Sequence, residues 1–316
     1  MPQLFLTSSS DYVMDDIIKK LPKSPTDYNV AFINTAAEVE EGDHWWVRAE
    51  KDKLISVGFK IDEFSITGMT KEDIEAKLAD KQVIYFCGGN TFYLLDQVIK
   101  SNCGEIIKRK VNEGVIYIGS SAGSMIAGLR IDLVSEIDDR SKAPDLKSTG
   151  LGIVDIAILP HWGSDTFREG YLSDIESMYT EGVKILPLTN FQYLWVKDGK
   201  MEIKIKDKVL GPYDAVNTIS VSDNNYGFAY FDKGKGQWYV NIKEKIFGPY
   251  DDVSEVAVSD NNYGFIYRKQ DQYNVEIKGK VYGPYTNANR LFVFDHNYGF
   301  AFMKDSVLYF SLNPLE

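Results

Sequence analysis

The chain has 316 residues, longer than the roughly 100 to 200 of a single domain, so two domains are expected. Hydrophobic residues make up 44% and charged residues 26% of it, the balance of a globular protein that can bury a core, which excludes general disorder. A formal net charge of -11 argues against a nucleic-acid partner, whose affinity comes mainly from clustered Lys and Arg, and leaves a small molecule or peptide as the better fit.

The first element is the apolar run QLFLTS, which is too short for a secretory signal and lacks the basic start that such a signal needs. No later stretch approaches the roughly 18 consecutive apolar residues of a membrane span, so no membrane partner is expected. The runs NVAFINT, KIDEFSI, VIYFCGG, GVIYIGS, VDIAILPH and KILPLTN then read as strands in turn. Amphipathic segments such as Tyr12 to Leu21, His44 to Val57 and Thr91 to Asn102 lie between them at helical spacing. Strand and helix in alternation imply an α/β fold with a largely parallel sheet and helices on both faces, a three-layer arrangement. The only cysteines, Cys87 and Cys103, are too few to staple a secreted scaffold, and a reducing cytoplasm is the simplest home.

The strand VIYF ends in Cys87-Gly88-Gly89-Asn90-Thr91 and leads into a helix. The strand VIYI ends in Gly119-Ser120-Ser121-Ala122-Gly123, again before a helix. The second is a G-x-S-x-G pattern, the nucleophile elbow that lifts a Ser hydroxyl above a sheet. Without the flanking strand and helix it would read as a plain tight turn, as the first would read as an ordinary βα turn capped by Asn90. Both turns lie at carboxyl ends of parallel strands, where open α/β sheets bind ligands, so the Gly89 and Ala122 N–H groups are candidates for an oxyanion hole. Of the three histidines, His296 fills a turn slot and His44 sits beside Trp45 and Trp46 in a packing or surface position. His161 follows the strand IAILP at the same sheet edge and is the candidate base.

After Asp198 the texture changes. GPYDAV, GPYDDV and GPYTNA recur at Gly211, Gly248 and Gly283, each followed twelve residues later by Asp223, Asp260 or Asp295 and a Tyr-Gly-Phe turn. The periods of 37 and 35 residues give three repeats of about 36, each an antiparallel unit. The pattern fits a short β-solenoid, a partial propeller or a sandwich, and sets domains of 1–200 and 201–316. Its strand edges make this half the expected place for a homodimer or protein partner. Zinc-peptidase and P-loop signatures are absent, and the Asp-Asn-Asn-Tyr-Gly turns lack calcium-loop spacing, so no metal or cofactor is expected.

FINTAAE, CGGNTFYLL, YIGSSAGSMIAG and LPHW, in this order, resemble the serine peptidase family of aspartyl dipeptidase (dipeptidase E) and cyanophycinase, over roughly Gln3 to Lys200. The resemblance implies a fold like class I glutamine amidotransferase domains, of flavodoxin-like type, with the Cys of those enzymes replaced by Ser. It implies Ser121 as nucleophile, His161 as base, Gly89 and Ala122 as oxyanion donors, and Asn90 and Thr91 lining the substrate site. Asn190 stands where the family places an acid. Asp138 and Asp139 are the first substitutes for that acid, and Asp165 and Glu169 the next. Arg168, seven residues after His161, is the candidate for the Arg that the family carries downstream of its His, at a different spacing, to grip a substrate Asp, with Arg130 and Arg140 as rivals. The function expected is hydrolysis of short, Asp-containing peptides through an acyl-enzyme. The alternative is a catalytically weak or inactive homologue that binds or regulates through its repeats.

Overall fold

A computed structural model describes residues 2–135, 137–147, 149–167, 170–171, 185–205, 208–304 and 307–315. It divides into two compact units, Met1–Leu210 and Gly211–Glu316. The first unit begins with strand β1 (Gln3–Thr7), helix α1 (Ser10–Lys20), β2 (Asn29–Ile33), α2 (Trp45–Ser56), β3 (Lys60–Phe64) and α3 (Lys71–Lys77). It continues with β4 (Val83–Phe86), α4 (Thr91–Lys100), α5 (Cys103–Asn112), β5 (Ile116–Ser120) and α6 (Ala122–Ala127). Strands β6 (Ala157–Leu159), β7 (Ile185–Pro187), β8 (Tyr193–Lys197) and β9 (Lys200–Ile205) follow, and β10 (Lys208–Tyr213) runs across the division.

The main sheet runs β10-β9-β8-β1-β5-β4-β2-β3. Strands β1 to β5 are mutually parallel, while β8 is antiparallel to β1 and to β9. The inner parallel strands β1, β2, β4 and β5 are mostly apolar because both their faces are buried, while the edge strand β3, KIDEF, is charged and largely uncovered. Phe5, Val30, Phe32, Val83, Tyr85 and Ile118 pack with Val13, Met14 and Ile17 of α1 and Val47 and Leu54 of α2. Their alternates Leu4, Ala31, Ile84, Phe86 and Tyr117 are equally buried and belong to the opposite face. There α6 lies so close that its Gly123 carbonyl accepts the Tyr117 hydroxyl at 2.5 Å. The three-layer, mostly parallel α/β architecture expected from the sequence is thus present.

Two features differ from the alternating pattern. The runs around Ile158 and Leu186 do not join the main sheet but form a separate parallel pair, β6-β7, because β8 takes the place beside β1. The β8–β9 hairpin extends the first sheet, so a boundary at residue 200 would cut it; compactness puts the division after Leu210.

The second unit contains three antiparallel meanders. They are β11 (Ala215–Val221), β12 (Tyr226–Asp232), β13 (Gln237–Ile242) and β14 (Lys245–Tyr250); then β15 (Asp252–Val258), β16 (Tyr263–Lys269), β17 (Gln272–Ile277) and β18 (Lys280–Tyr285); then β19 (Asn287–Val293), β20 (Asn297–Lys304) and β21 (Val307–Pro314). Ala229, Val240 and Ile242 of the first meander pack on Val253, Val256 and Phe265 of the second. Ile266, Val275 and Ile277 of the second pack on Val293, Tyr298 and Phe300 of the third. The Asp-Asn-Asn turns do more than reverse the chain. Asn225 Nδ2 donates to the Ser259 and Asn262 carbonyls, and Asn262 Nδ2 to those of Phe294 and Asp295, so each turn is bonded to the next repeat. Among the described residues no helix is long and apolar enough to cross a membrane.

Candidate active site

Register brings the site together. Thr7 of β1 lies opposite Ser120 of β5, and Phe86 of β4 opposite Gly119, so the segments after β1, β4 and β5 leave the sheet at one level. The β5–α6 turn is an elbow in the strict sense: Ser121 has φ 48° and ψ -111°, a region that costs a non-glycine residue about 1–3 kcal/mol. Its glycines are required by close approach. A Cβ on Gly119 would stand 2.6 Å from the Gly123 carbonyl carbon, and one on Gly123 would stand 2.4 Å from the Phe86 carbonyl oxygen. The bend is knitted to β1, with Ser121 N–H donating to Thr7 O at 3.1 Å and Thr7 Oγ1 to Gly119 O at 2.9 Å.

The parallel pair β6-β7 brings in the other two groups. Leu159 lies beside Pro187, and the pairing continues as Leu188 N–H to Leu159 O and Trp162 N–H to Leu188 O, so the loops bearing His161 and Asn190 emerge side by side. His161 Nε2 is 2.9 Å from Ser121 Oγ, and Nδ1 is 2.7 Å from Asn190 Oδ1. Gln192 Oε1 accepts the Thr189 N–H at 2.8 Å and closes the turn that presents Asn190. Ser8, fully buried after β1, locks the pair: its hydroxyl accepts the His161 N–H at 2.7 Å and donates to Asn190 Oδ1 at 3.1 Å. With Asn190 Oδ1 as acceptor, the Nδ1 atom of His161 carries the proton and Nε2 is free to accept one from Ser121. The ring stacks on Phe167 at 4.8 Å between centroids. Burial lowers the imidazole pKa below its usual 6.5, against upward pulls from Asn190 and from the charge of Asp11.

Asp11 is thus the carboxylate whose charge reaches His161, and neither Asp138 nor Asp139 takes that place. Asp138 Oδ2 accepts the Thr91 N–H at 2.8 Å at the start of α4, and burial pushes its carboxyl up to about 6. Asp139 caps a short turn, accepting the Ser141 N–H at 2.9 Å. Asp11, half-buried at the amino end of α1, sits one turn from Ser8, and no spacing in the sequence reveals that this helix end meets the β6 loop. Asp165 is exposed.

The side chains assigned to substrate are turned into the protein. Asn90, 1% exposed, caps α4 through its Oδ1 to Tyr93 N–H at 2.9 Å, and its Nδ2 donates to Asp139 O at 3.2 Å. Thr91 is equally enclosed, its Oγ1 against Met125 Sδ at 3.7 Å. A buried cap with both amide ends engaged builds the site without facing its contents. Arg168 and Glu169 lie outside the described residues. Arg140 donates to Leu146 O at 3.1 Å and covers the Phe92 ring, while Arg130 pairs with Asp132.

The Gly89 backbone at φ +139° lies flush on the Thr35–Ala37 turn, where a Cβ would be 2.4 Å from Ala36 O. Among the described residues, no hydrogen bond is formed by the Gly89 or the Ala122 N–H, and the Ala122 group opens α6 just beyond Ser121. A Cβ on Gly88 would stand 3.3 Å from Ser121 Cβ, so the two turns adjoin. The rim carries exposed Tyr12 and Phe191, packed edge to face at 4.8 Å. Such a site can remove a proton from an alcohol and hold developing negative charge on backbone N–H groups.

The profile of peptidase family S51 matches residues 4–204. The uncharacterized peptidase PM1590 of Pasteurella multocida is 32% identical over 199 residues, covering 63% of this chain and 95% of that protein. A protein named Peptidase E from Haemophilus influenzae is 33% identical over 138 residues, or 42% of this chain and 61% of that one. Among solved structures, a candidate peptidase E from Listeria monocytogenes EGD-e superposes with a TM-score of 0.60 at 30% identity, covering 65% of this chain and 98% of its own. A peptidase from an acI-B1 actinobacterium shares the fold, at a TM-score of 0.52 and 16% identity.

Proposed function

The chain belongs to peptidase family S51, and from that premise we propose that its first unit is a serine-type peptidase that cleaves short, Asp-containing peptides through an acyl-enzyme on Ser121. The observation that carries this reading is the relay Ser121 Oγ, His161 Nε2, His161 Nδ1, Asn190 Oδ1, with contacts of 2.9 and 2.7 Å. As Ser121 Oγ attacks the peptide carbonyl carbon, its proton passes to His161 Nε2, and the Nδ1 proton stays bonded to Asn190. The carbonyl oxygen, now an anion, accepts hydrogen bonds from the Gly89 and Ala122 N–H groups. Collapse of the tetrahedral adduct breaks the C–N bond, and His161 returns the proton to the leaving amine. Water then enters, loses a proton to His161 and releases the acid, which restores the Ser121 hydroxyl.

An amide in the orienting position holds the tautomer without supplying charge. In a serine protease whose Asp becomes Asn the cost is about 10⁴ in turnover, largely because the wrong tautomer forms. Here Ser8 donates to the same Asn190 oxygen and keeps the amide turned so that this oxygen faces Nδ1–H. The half-buried Asp11 supplies part of the missing negative charge from another element. Preference for Asp-containing peptides rests on the likeness to peptidase E and dipeptidase E.

The test is hydrolysis of Asp-X dipeptides and β-aspartyl peptides by the whole chain beside Ser121→Ala, with a fluorophosphonate as covalent probe. Wild type should release free Asp and be labelled once, at Ser121, and the variant should do neither. Equal hydrolysis by both proteins, or wild type inert to peptides and probe alike, would overturn the reading.

A further inference from the structure

Helix α2 contributes no group to the relay, yet two of its side chains reach into the two turns that form the site. Trp46 and Glu50 are four residues apart and therefore share one face of the helix. Trp46 Nε1–H donates to the Gly88 carbonyl at 3.2 Å. Glu50, 5% exposed, accepts the Ser120 hydroxyl at Oε1. The Ser120 oxygen in turn accepts the Ser10 N–H at 3.2 Å.

The Gly88 carbonyl and the Gly89 N–H belong to one trans, planar peptide unit, so fixing the direction of the C=O fixes the N–H to point the opposite way. Gly89 has no side chain of its own to restrain that plane, and glycine turns rotate more freely than others. The grip of Trp46 on Gly88 O supplies the restraint. Glu50 holds the hydroxyl of the residue directly before the nucleophile, so one helix face holds the oxyanion turn and the elbow together.

We propose that Trp46 and Glu50 are positioning residues that hold the Gly88–Gly89 peptide and the Ser120–Ser121 segment in register, aiming the Gly89 N–H at the carbonyl that Ser121 attacks. This rests on the serine-peptidase reading and adds to it what orients one oxyanion donor.

The test compares wild type, Trp46→Phe, Glu50→Leu and Glu50→Gln, using aspartyl p-nitroanilide as substrate and a fluorophosphonate both as covalent probe and as active-site titrant. Trp46→Phe keeps an aromatic ring in place and deletes the indole N–H. Losing an oxyanion donor outright costs about 10²–10³ in kcat, so misdirecting one should lower kcat per titrated site by at least about ten-fold, with KM within about two-fold. Phosphonylation, which uses the same donors, should slow in parallel. Glu50→Leu should behave likewise, and Glu50→Gln, which keeps an acceptor for Ser120, should recover most of the rate. Because kcat is counted per titrated site, partial unfolding cannot imitate the effect. If wild type is labelled and Trp46→Phe matches it in kcat per site and labelling rate, the inference fails while the peptidase reading stands. If wild type is neither labelled nor active, the oxyanion hole itself is lost and both fail.

Discussion

Residue by residue, the His161 imidazole is tuned by opposing forces, and with His161 as the proposed base their balance predicts a pH profile. Burial is the largest influence on His161 and disfavours its cation, so the pKa falls below 6.5. The ring acts as base only when neutral, so kcat/KM should be level through neutrality and fall on an acid limb below pH 6.5. Asp11 stabilises the cation and works against burial. In Asp11→Asn that pull is gone, the pKa drops further, and the acid limb moves to lower pH, while the plateau near pH 7 falls because the imidazolium formed during attack loses that charge. A limb that stays in place, or moves upward, would show that Asp11 does not act on the imidazole through its charge. Ser121 and His161 were legible in the sequence because each follows a readable apolar strand, and Asn190 only through the family resemblance, as the residue standing where an acid is expected. Ser8, Asp11, Trp46 and Glu50 were not, because a helix amino terminus or one helical face meets the site only through the packing of distant segments. Asn90 and Thr91, expected to line the substrate site, turn their side chains into the protein, since spacing does not say which way a capped helix start turns its side chains.

At the level of elements, the elbow exists because two glycines let α6 sit on the sheet. Gly123 is in ordinary helix, so an Ala there meets no backbone penalty from φ; its cost is purely steric. The added methyl would collide with Phe86 O at 2.4 Å, and Phe86 sits in the middle of the sheet and cannot retreat. Gly123→Ala should therefore cost about 3 kcal/mol, the upper end of overpacking penalties, read as a lower midpoint for the first unit in urea. Ala at Gly152, where φ is +64° and nothing lies within 4 Å, is the control for a purely conformational cost and should destabilise less. The strands β1, β2, β4 and β5 could be read directly because burial on both faces makes them mostly apolar runs, and the edge strand β3 by the alternation in KIDEFSI. The separation of β6 and β7 from the main sheet could not, because their runs look no different; only the pairing of β8 with β1 excludes them. In the repeats, period and turns were plain in the sequence, but the Asn225 and Asn262 bonds to the next repeat were not, since a turn Asn reads alike whether it caps its own loop or the neighbouring one.

For the whole molecule, the question is whether the repeats are needed for chemistry. All the groups of the relay, the oxyanion turn and the α2 face lie within Met1–Leu210. The match to family S51 ends at residue 204, in β9, and PM1590 is covered over 95% of its own length by a 199-residue match, so that relative is essentially this unit without the repeats. A unit of this size buries roughly 70% of the surface its unfolded chain exposes, enough to fold independently. A chain ending at Leu210 should accordingly melt in its own cooperative transition and keep kcat/KM on short Asp-peptides within about three-fold of the full chain, measured per fluorophosphonate-titrated site. A loss of a hundred-fold or more in kcat/KM per titrated site would assign the repeats a part in the catalytic cycle. A rise on truncation would instead make them an inhibitory element. The expected near-equality leaves the three meanders, bonded in series through their Asn turns, as a module whose role is separate from bond cleavage.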